Sequence, residues 1–164
     1  MDVRISDFGS ARFVPAALTS PYTSTAQPDQ LYLFDDKNSP AKGTLVYTAP
    51  ELVFSSPLKG YTFSVDWYSI GVTLFTMLTC TPPYGHLTTM QMYMAIQRGF
   101  FAFGSQPLVL RWSVPDPTDR QWQFNTGEKC PLVVCDVVEG LVGIDPTCRM
   151  SPKKVLELLD LLDS

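Results

Sequence analysis

The chain has 164 residues, 45% of them apolar and 17% charged, enough hydrophobic material for one packed core and too little charge for a disordered chain. Twelve Lys and Arg against sixteen Asp and Glu give a net charge of −4. The first 51 residues carry four basic and six acidic groups and the rest eight and ten, so there is no basic pole of the kind nucleic-acid binding needs. The opening Met1-Asp2-Val3-Arg4-Ile5 lacks a basic stretch followed by an apolar one, so no signal peptide is expected.

In chain order, Val3-Arg4-Ile5 alternates apolar and polar residues and predicts a short strand ending at Asp7-Phe8-Gly9. From Pro15 to Lys42 periodicity disappears among four prolines and many hydroxyls, which predicts a long loop. Ser64 to Cys80 is apolar almost all round, with Val65, Ile70, Val72, Leu74, Phe75, Met77 and Leu78. It is cut short by Pro82-Pro83, below the roughly 20 residues of a membrane span, so a buried central helix is predicted. Thr88 with Gln91 has the form of a capping box and opens a helix carrying Met90, Tyr93 and Met94. That stripe reads equally as core or as a surface for partners.

Phe101 to Lys129 reads as a second proline-rich loop, with Trp112 and Trp122 holding it to the surface. Pro131 then starts a helix with Val134, Val137, Val138, Leu141 and Val142 on its apolar face. Ser151-Pro152 pairs a cap with proline at the first helical position, and begins a last helix bearing Val155, Leu158, Leu159 and Leu162.

Of the four cysteines, Cys80 and Cys148 fall in apolar, helix-like segments. Cys130 and Cys135 have only His86 and no second Cys-x-x-Cys pair to complete a zinc set. Reduced thiols and a cytoplasmic setting are the expectation.

Asp7-Phe8-Gly9 alone is most simply a turn, since Asp and Gly both favour turn geometry. Gly43-Thr44-Leu45-Val46-Tyr47-Thr48-Ala49-Pro50-Glu51 is far more specific, matching G-T-x-x-Y-x-A-P-E at every fixed position. Asp66-Trp67-Tyr68-Ser69-Ile70-Gly71 follows D-x-W-S-x-G with its aromatic residues displaced. Pro83-Tyr84-Gly85 and Asp145-Pro146-Thr147-Cys148-Arg149 come after it in order. Together these motifs resemble the eukaryotic serine/threonine protein kinase family, from its D-F-G motif onward.

The resemblance implies a mainly α fold, the helical C-terminal lobe of a kinase with a short strand region at its N-terminus, and hence an incomplete kinase fold. Residues 1–164 would form a partial kinase domain, with 7–51 as the activation segment and 62–164 as the helical lobe. It implies Mg2+ on Asp7, with Asp7, Phe8 and Gly9 at the ATP site, and Thr44 positioning a Ser or Thr substrate. Glu51 and Arg149 would form a buried ion pair, the alternative being two surface charges worth under about 1 kcal/mol. Asp66 would anchor the central helix by accepting backbone hydrogen bonds from the catalytic loop; its simpler reading is a helix-start acid facing the dipole.

Only six residues precede Asp7, and the glycine-rich loop, strand lysine, partner glutamate and H-R-D-x-x-x-x-N loop are absent from this sequence. No general base is therefore present. The chain alone is expected to be inactive, marginally stable or dependent on a partner. That partner could be a separate N-terminal lobe, a protein substrate or a regulatory protein, with neither nucleic acid nor membrane involved. Ser20-Pro21 and Ser39-Pro40 are candidate phosphorylation sites, and a merely polar loop is their alternative. The rival function is a non-catalytic, kinase-derived interaction module.

Overall fold

The computed structural model describes residues 4–11, 43–54, 63–85, 87–98, 101–103, 106–108 and 131–160. Expectations for 15–42, including both Ser-Pro pairs, and for His86, Trp112, Trp122, Cys130 and Leu162 lie outside the described residues.

The described chain is mainly helical. Its helices are α1 (Pro50–Phe54), α2 (Ser64–Thr79), α3 (Thr89–Arg98), α4 (Leu132–Leu141) and α5 (Pro152–Leu159). Two short strands, β1 (Phe101–Phe103) and β2 (Gln106–Leu108), pair antiparallel between α3 and α4 with Ala102 opposite Pro107. Three of the 3-10 turns, at Phe8–Ser10, Leu45–Tyr47 and Pro146–Cys148, carry the motif residues.

The core forms where α2 crosses α4. Tyr68, Val72 and Phe75 of α2 pack with Cys135, Val138 and Val142. Tyr84 and Ile96 close one side, and Val46 and Ala49 close another. Gly71 allows the close approach: a Cβ there would stand 2.7 Å from Val142 Cγ1 and 2.8 Å from Leu141 Cβ. Real side-chain carbons do not approach that closely, so any larger residue must push the helices apart.

The helix ends follow their sequence signals. The Thr88 amide and hydroxyl both donate to Gln91 Oε1, at 3.0 and 2.9 Å, and the Gln91 amide donates back to Thr88 Oγ1 at 3.4 Å. This is the reciprocal capping box that the spacing predicts. Ser151 Oγ accepts from the Lys154 amide at 3.3 Å, with Pro152 at the first helical position. Inside α2, Thr73, Thr76 and Thr79 each return their hydroxyl to the carbonyl four residues earlier, at 2.8 Å. Those bonds let three hydroxyls sit in the apolar C-terminal part of the helix without an unpaired donor.

Four local expectations need correction. Arg4 and Ile5 form no strand, and Ile5 is 87% exposed, with no described strand beside it to supply a ladder. The stretch read as a proline-rich loop from Phe101 contains the antiparallel β1–β2 pair. Helix α2 is buried on one side only, because Ile70 and Met77 are exposed. Cys80 and Cys148 are both exposed: Cys80 ends α2 in a left-handed conformation (φ 54°) and Cys148 lies in a 3-10 turn. Apart from these, the last helix forms as expected and exposes Leu156 and Leu159.

Candidate functional site

The site is built around a late arginine. Asp145-Pro146 forms a tight 3-10 turn in which Asp145 Oδ1 accepts from the Thr147 hydroxyl at 2.7 Å and the Thr147 amide at 2.9 Å. These bonds hold the Asp145 carboxyl below its usual pKa, because they favour the charged form. The chain leaves the turn extended at Arg149, whose side chain runs inward and is 1% exposed.

Arg149 Nη1 and Nη2 each donate to one Glu51 carboxylate oxygen at 2.6 Å, a bidentate pair spanning 98 residues of sequence. Nε donates to the Gly143 carbonyl at 2.8 Å, and Nη1 also donates to the Ser64 carbonyl at 2.8 Å. Its guanidinium carbon lies 5.1 Å from the centre of the Tyr68 ring. One side chain thus ties α1, the start of α2 and the end of α4 together. The planar fork of arginine makes this possible where a lysine point charge could not.

Tyr68 occupies the aromatic position of the D-x-W-S-x-G pattern and is buried, whereas Trp67 is half-buried. Burial pushes the Tyr68 phenol up to about 12, against the opposing effects of a hydrogen bond with Tyr84 and the nearby Arg149 charge. Burial and the neighbouring Tyr68 also push the Tyr84 phenol up. Both phenols are therefore neutral over the physiological range, and serve as packing and hydrogen-bonding groups.

Before α1, residues 43–49 form a short platform. Gly43 has φ 123°, a conformation that favours glycine. The Tyr47 amide donates to the Thr44 carbonyl at 2.9 Å, and the Thr48 amide to the Leu45 carbonyl at 3.1 Å. Val46 and Ala49 are buried against the core while Thr44 is exposed. Ser69 Oγ of α2 donates to the Tyr47 carbonyl at 2.9 Å and is shared with the Val65 carbonyl at 3.1 Å.

Among the described residues Asp7 makes no hydrogen bond or ion pair to this cluster. It is exposed, in a left-handed conformation (φ 61°), with Oδ1 accepting from the Gly9 amide at 3.4 Å. Phe8 beside it is 69% exposed. Left-handed backbone is uncommon for a residue with a side chain, and Asp tolerates it because it can bond locally. Asp66 is exposed at the start of α2, and partial loss of hydration raises its carboxyl above the usual value. No hydrogen bond to its carboxylate is found among the described residues.

An ATP-bound Mg2+ usually takes one or two protein carboxylates, with phosphate and water filling the remaining positions. Asp7 fits the share of one such ligand. Among the described residues no group of three His, Cys, Asp or Glu could hold a metal. No helix among the described residues is long and apolar enough to cross a membrane.

Sequence reasoning named Thr44, Glu51, Asp66, Arg149 and the 7–9 turn. It missed the Gly143 and Ser64 carbonyls, whose backbone atoms leave no trace in residue type, and the stacking of Arg149 on Tyr68. Ser69 stands within the Asp66–Gly71 motif, and nothing in its residue type marks it for a task.

A chain with this helical lobe, threaded from a D-F-G turn through an A-P-E helix to a D-P-x-x-R turn, belongs to a defined class. The protein kinase domain family matches residues 1–158, and the chain belongs to the eukaryotic serine/threonine protein kinase family. It is 36% identical over 116 residues to the serine/threonine-protein kinase YPK1 of Saccharomyces cerevisiae, covering 71% of this chain and 13% of that protein. It is 29% identical over 133 residues to cAMP-dependent protein kinase type 3 of the same yeast, covering 77% of this chain and 28% of that one. Against the phosphorylase b kinase gamma catalytic chain (liver/testis isoform) of Rattus norvegicus it is 28% identical over 160 residues, covering 96% of this chain and 30% of that one. The chain therefore spans less than a third of the length of these curated relatives.

Proposed function

We propose that these residues serve ATP-dependent phosphorylation of Ser and Thr hydroxyls on proteins, as the substrate-side lobe of a kinase. The observation that carries the reading is the Gly43–Glu51 platform and its tie to Arg149, because phosphoryl transfer depends mainly on positioning and charge stabilisation. In this reading 7–51 is the activation segment and 62–164 the helical lobe. Thr44 faces the substrate hydroxyl from the exposed edge of the platform, and the Glu51–Arg149 pair sets the platform's height.

Asp7 would supply one carboxylate to the magnesium that accompanies ATP. When bound, that ion neutralises charge on the phosphates. Asp66 would receive donors from a catalytic loop, which fits an exposed carboxyl whose pKa is raised. The 164 residues contain no candidate for the general base, the phosphate-covering loop or the strand lysine. Transfer therefore needs residues outside this sequence, and the chain alone is inactive. Cys80, Cys135 and Cys148 carry thiols rather than disulfides, which fits a cytoplasmic setting.

A Mg-ATP titration of the purified chain, followed by thermal unfolding, tests this division of labour. No shift in the midpoint is expected. A saturable rise would mean that these residues bind nucleotide unaided, since ligand at a hundred times its Kd stabilises by about 2.7 kcal/mol.

The second reading, a non-catalytic interaction module, is favoured by one observation. Phe54 and Tyr93 meet edge to face at 6.3 Å, and both are exposed alongside Met90 and Met94. Such adaptable apolar side chains suit a protein partner.

A further inference from the structure

We infer that Ser69 is a positioning residue for the substrate platform: its hydroxyl fixes the Leu45–Tyr47 turn against the central helix. The inference rests on reading residues 43–49 as the substrate platform, and assigns a task to a side chain outside that reading's named residues.

The geometry supplies the argument. The Thr48 hydroxyl donates to the Thr44 carbonyl at 3.2 Å within the turn, which otherwise closes on itself through two short-range backbone bonds, Tyr47 N–H to Thr44 O and Thr48 N–H to Leu45 O. None of these bonds fixes where the turn sits on the lobe. On its C-terminal side, Glu51 is clamped by Arg149. On its inner side, Val46 and Ala49 pack on the core, but apolar contact is non-directional and permits sliding. Ser69 Oγ, 2.9 Å from the Tyr47 carbonyl, adds a directional contact between the turn and α2.

Its hydroxyl carries one hydrogen. The Val65 carbonyl, 3.1 Å away within the same helix, competes for it. A serine in mid-helix ordinarily spends its hydroxyl on the carbonyl four residues back. Here the shorter contact runs 22 residues back in sequence to the platform. Loss of that hydroxyl would leave the Tyr47 carbonyl without this donor and free the turn to shift. Thr44, exposed three residues before Tyr47, would move with it.

Hydrogen exchange on the full chain, without nucleotide or peptide, reads the turn itself. A failed tether is therefore visible whether or not the chain handles phosphoryl groups. Ser69→Ala is expected to speed exchange in residues 45–49 about fivefold, the equilibrium weight of one ordinary hydrogen bond, with α4 unchanged. Ser69→Thr and Ser69→Val share a shape and differ in the hydroxyl. The threonine variant should keep the wild-type rate in the turn and the valine variant should match alanine. This pair decides the matter if the alanine variant loosens the whole fold. An unchanged turn in Ser69→Ala and Ser69→Val overturns the inference. So does an equal rise in α4 in both, which would make the hydroxyl a support of the whole fold.

Discussion

Replacing Arg149 with methionine removes the guanidinium while keeping a long apolar stem. The loss is larger than one ion pair. Two charge-assisted bonds to Glu51 disappear, as do donors to the Gly143 and Ser64 carbonyls and the contact with the Tyr68 ring. Glu51, whose side chain is 14% exposed, keeps its charge with little water to replace the arginine. Removing one partner of a buried pair costs about 3–5 kcal/mol. For a chain of this size, each kcal/mol lowers the midpoint by about 2–4 °C, so a fall of about 6–20 °C is predicted. Glu51→Gln should cost less, about 1.5–3 kcal/mol, because Arg149 retains its carbonyl acceptors and ring contact. Thermal unfolding followed by circular dichroism, run as a double-mutant cycle, measures the coupling. A loss under about 1 kcal/mol for Arg149→Met would refute the reasoning, since that is the worth of a solvent-screened surface pair.

Two further substitutions test separate parts of the account. Gly71→Ala should destabilise by about 1–3 kcal/mol, because its new methyl must displace Val142 and Leu141 across the α2–α4 contact. A neutral result in chemical denaturation would mean that the two helices separate freely. Asp66→Asn should raise the midpoint of this chain at pH 7. The folded-state pKa of Asp66 lies above its unfolded value of 3.8, so its favourable contribution is complete below 3.8 and lost as pH rises through the folded value. Asparagine removes the charged form, so the gain over wild type should shrink as the pH falls toward 3.8. A lower midpoint for this variant at pH 7 would show that the carboxylate already has a donor within the chain.

What the sequence made legible was whatever local chemistry dictates. The capping box at Thr88 and Gln91, the Ser151-Pro152 helix start and the apolar stripe of α4 all follow from side-chain type at fixed spacing. The ordered motifs disclosed the family because each names a contact between distant segments, as with Glu51 and Arg149. Properties set by neighbours were not legible. The apolar composition of α2 could not show that Ile70 and Met77 would face solvent while Tyr68 and Phe75 were buried. Alternation at Arg4 and Ile5 suggested a strand, but a strand needs a partner and none lies beside them among the described residues. Ser69 shows the same limit, since its use depends on where the Tyr47 carbonyl comes to rest.

Phosphoryl transfer itself can be assayed directly. Transfer of phosphate from Mg-ATP to Ser-, Thr- and Tyr-containing peptides should be measured with the longest natural product encoding this chain, with its Asp7→Asn variant, and with the 164 residues alone. Transfer to Ser and Thr by the long product is expected, with a loss of about 10²-fold or more in the variant and none from the 164 residues. Transfer by the 164 residues alone, or an Asp7→Asn variant as active as its parent, would contradict the proposed function.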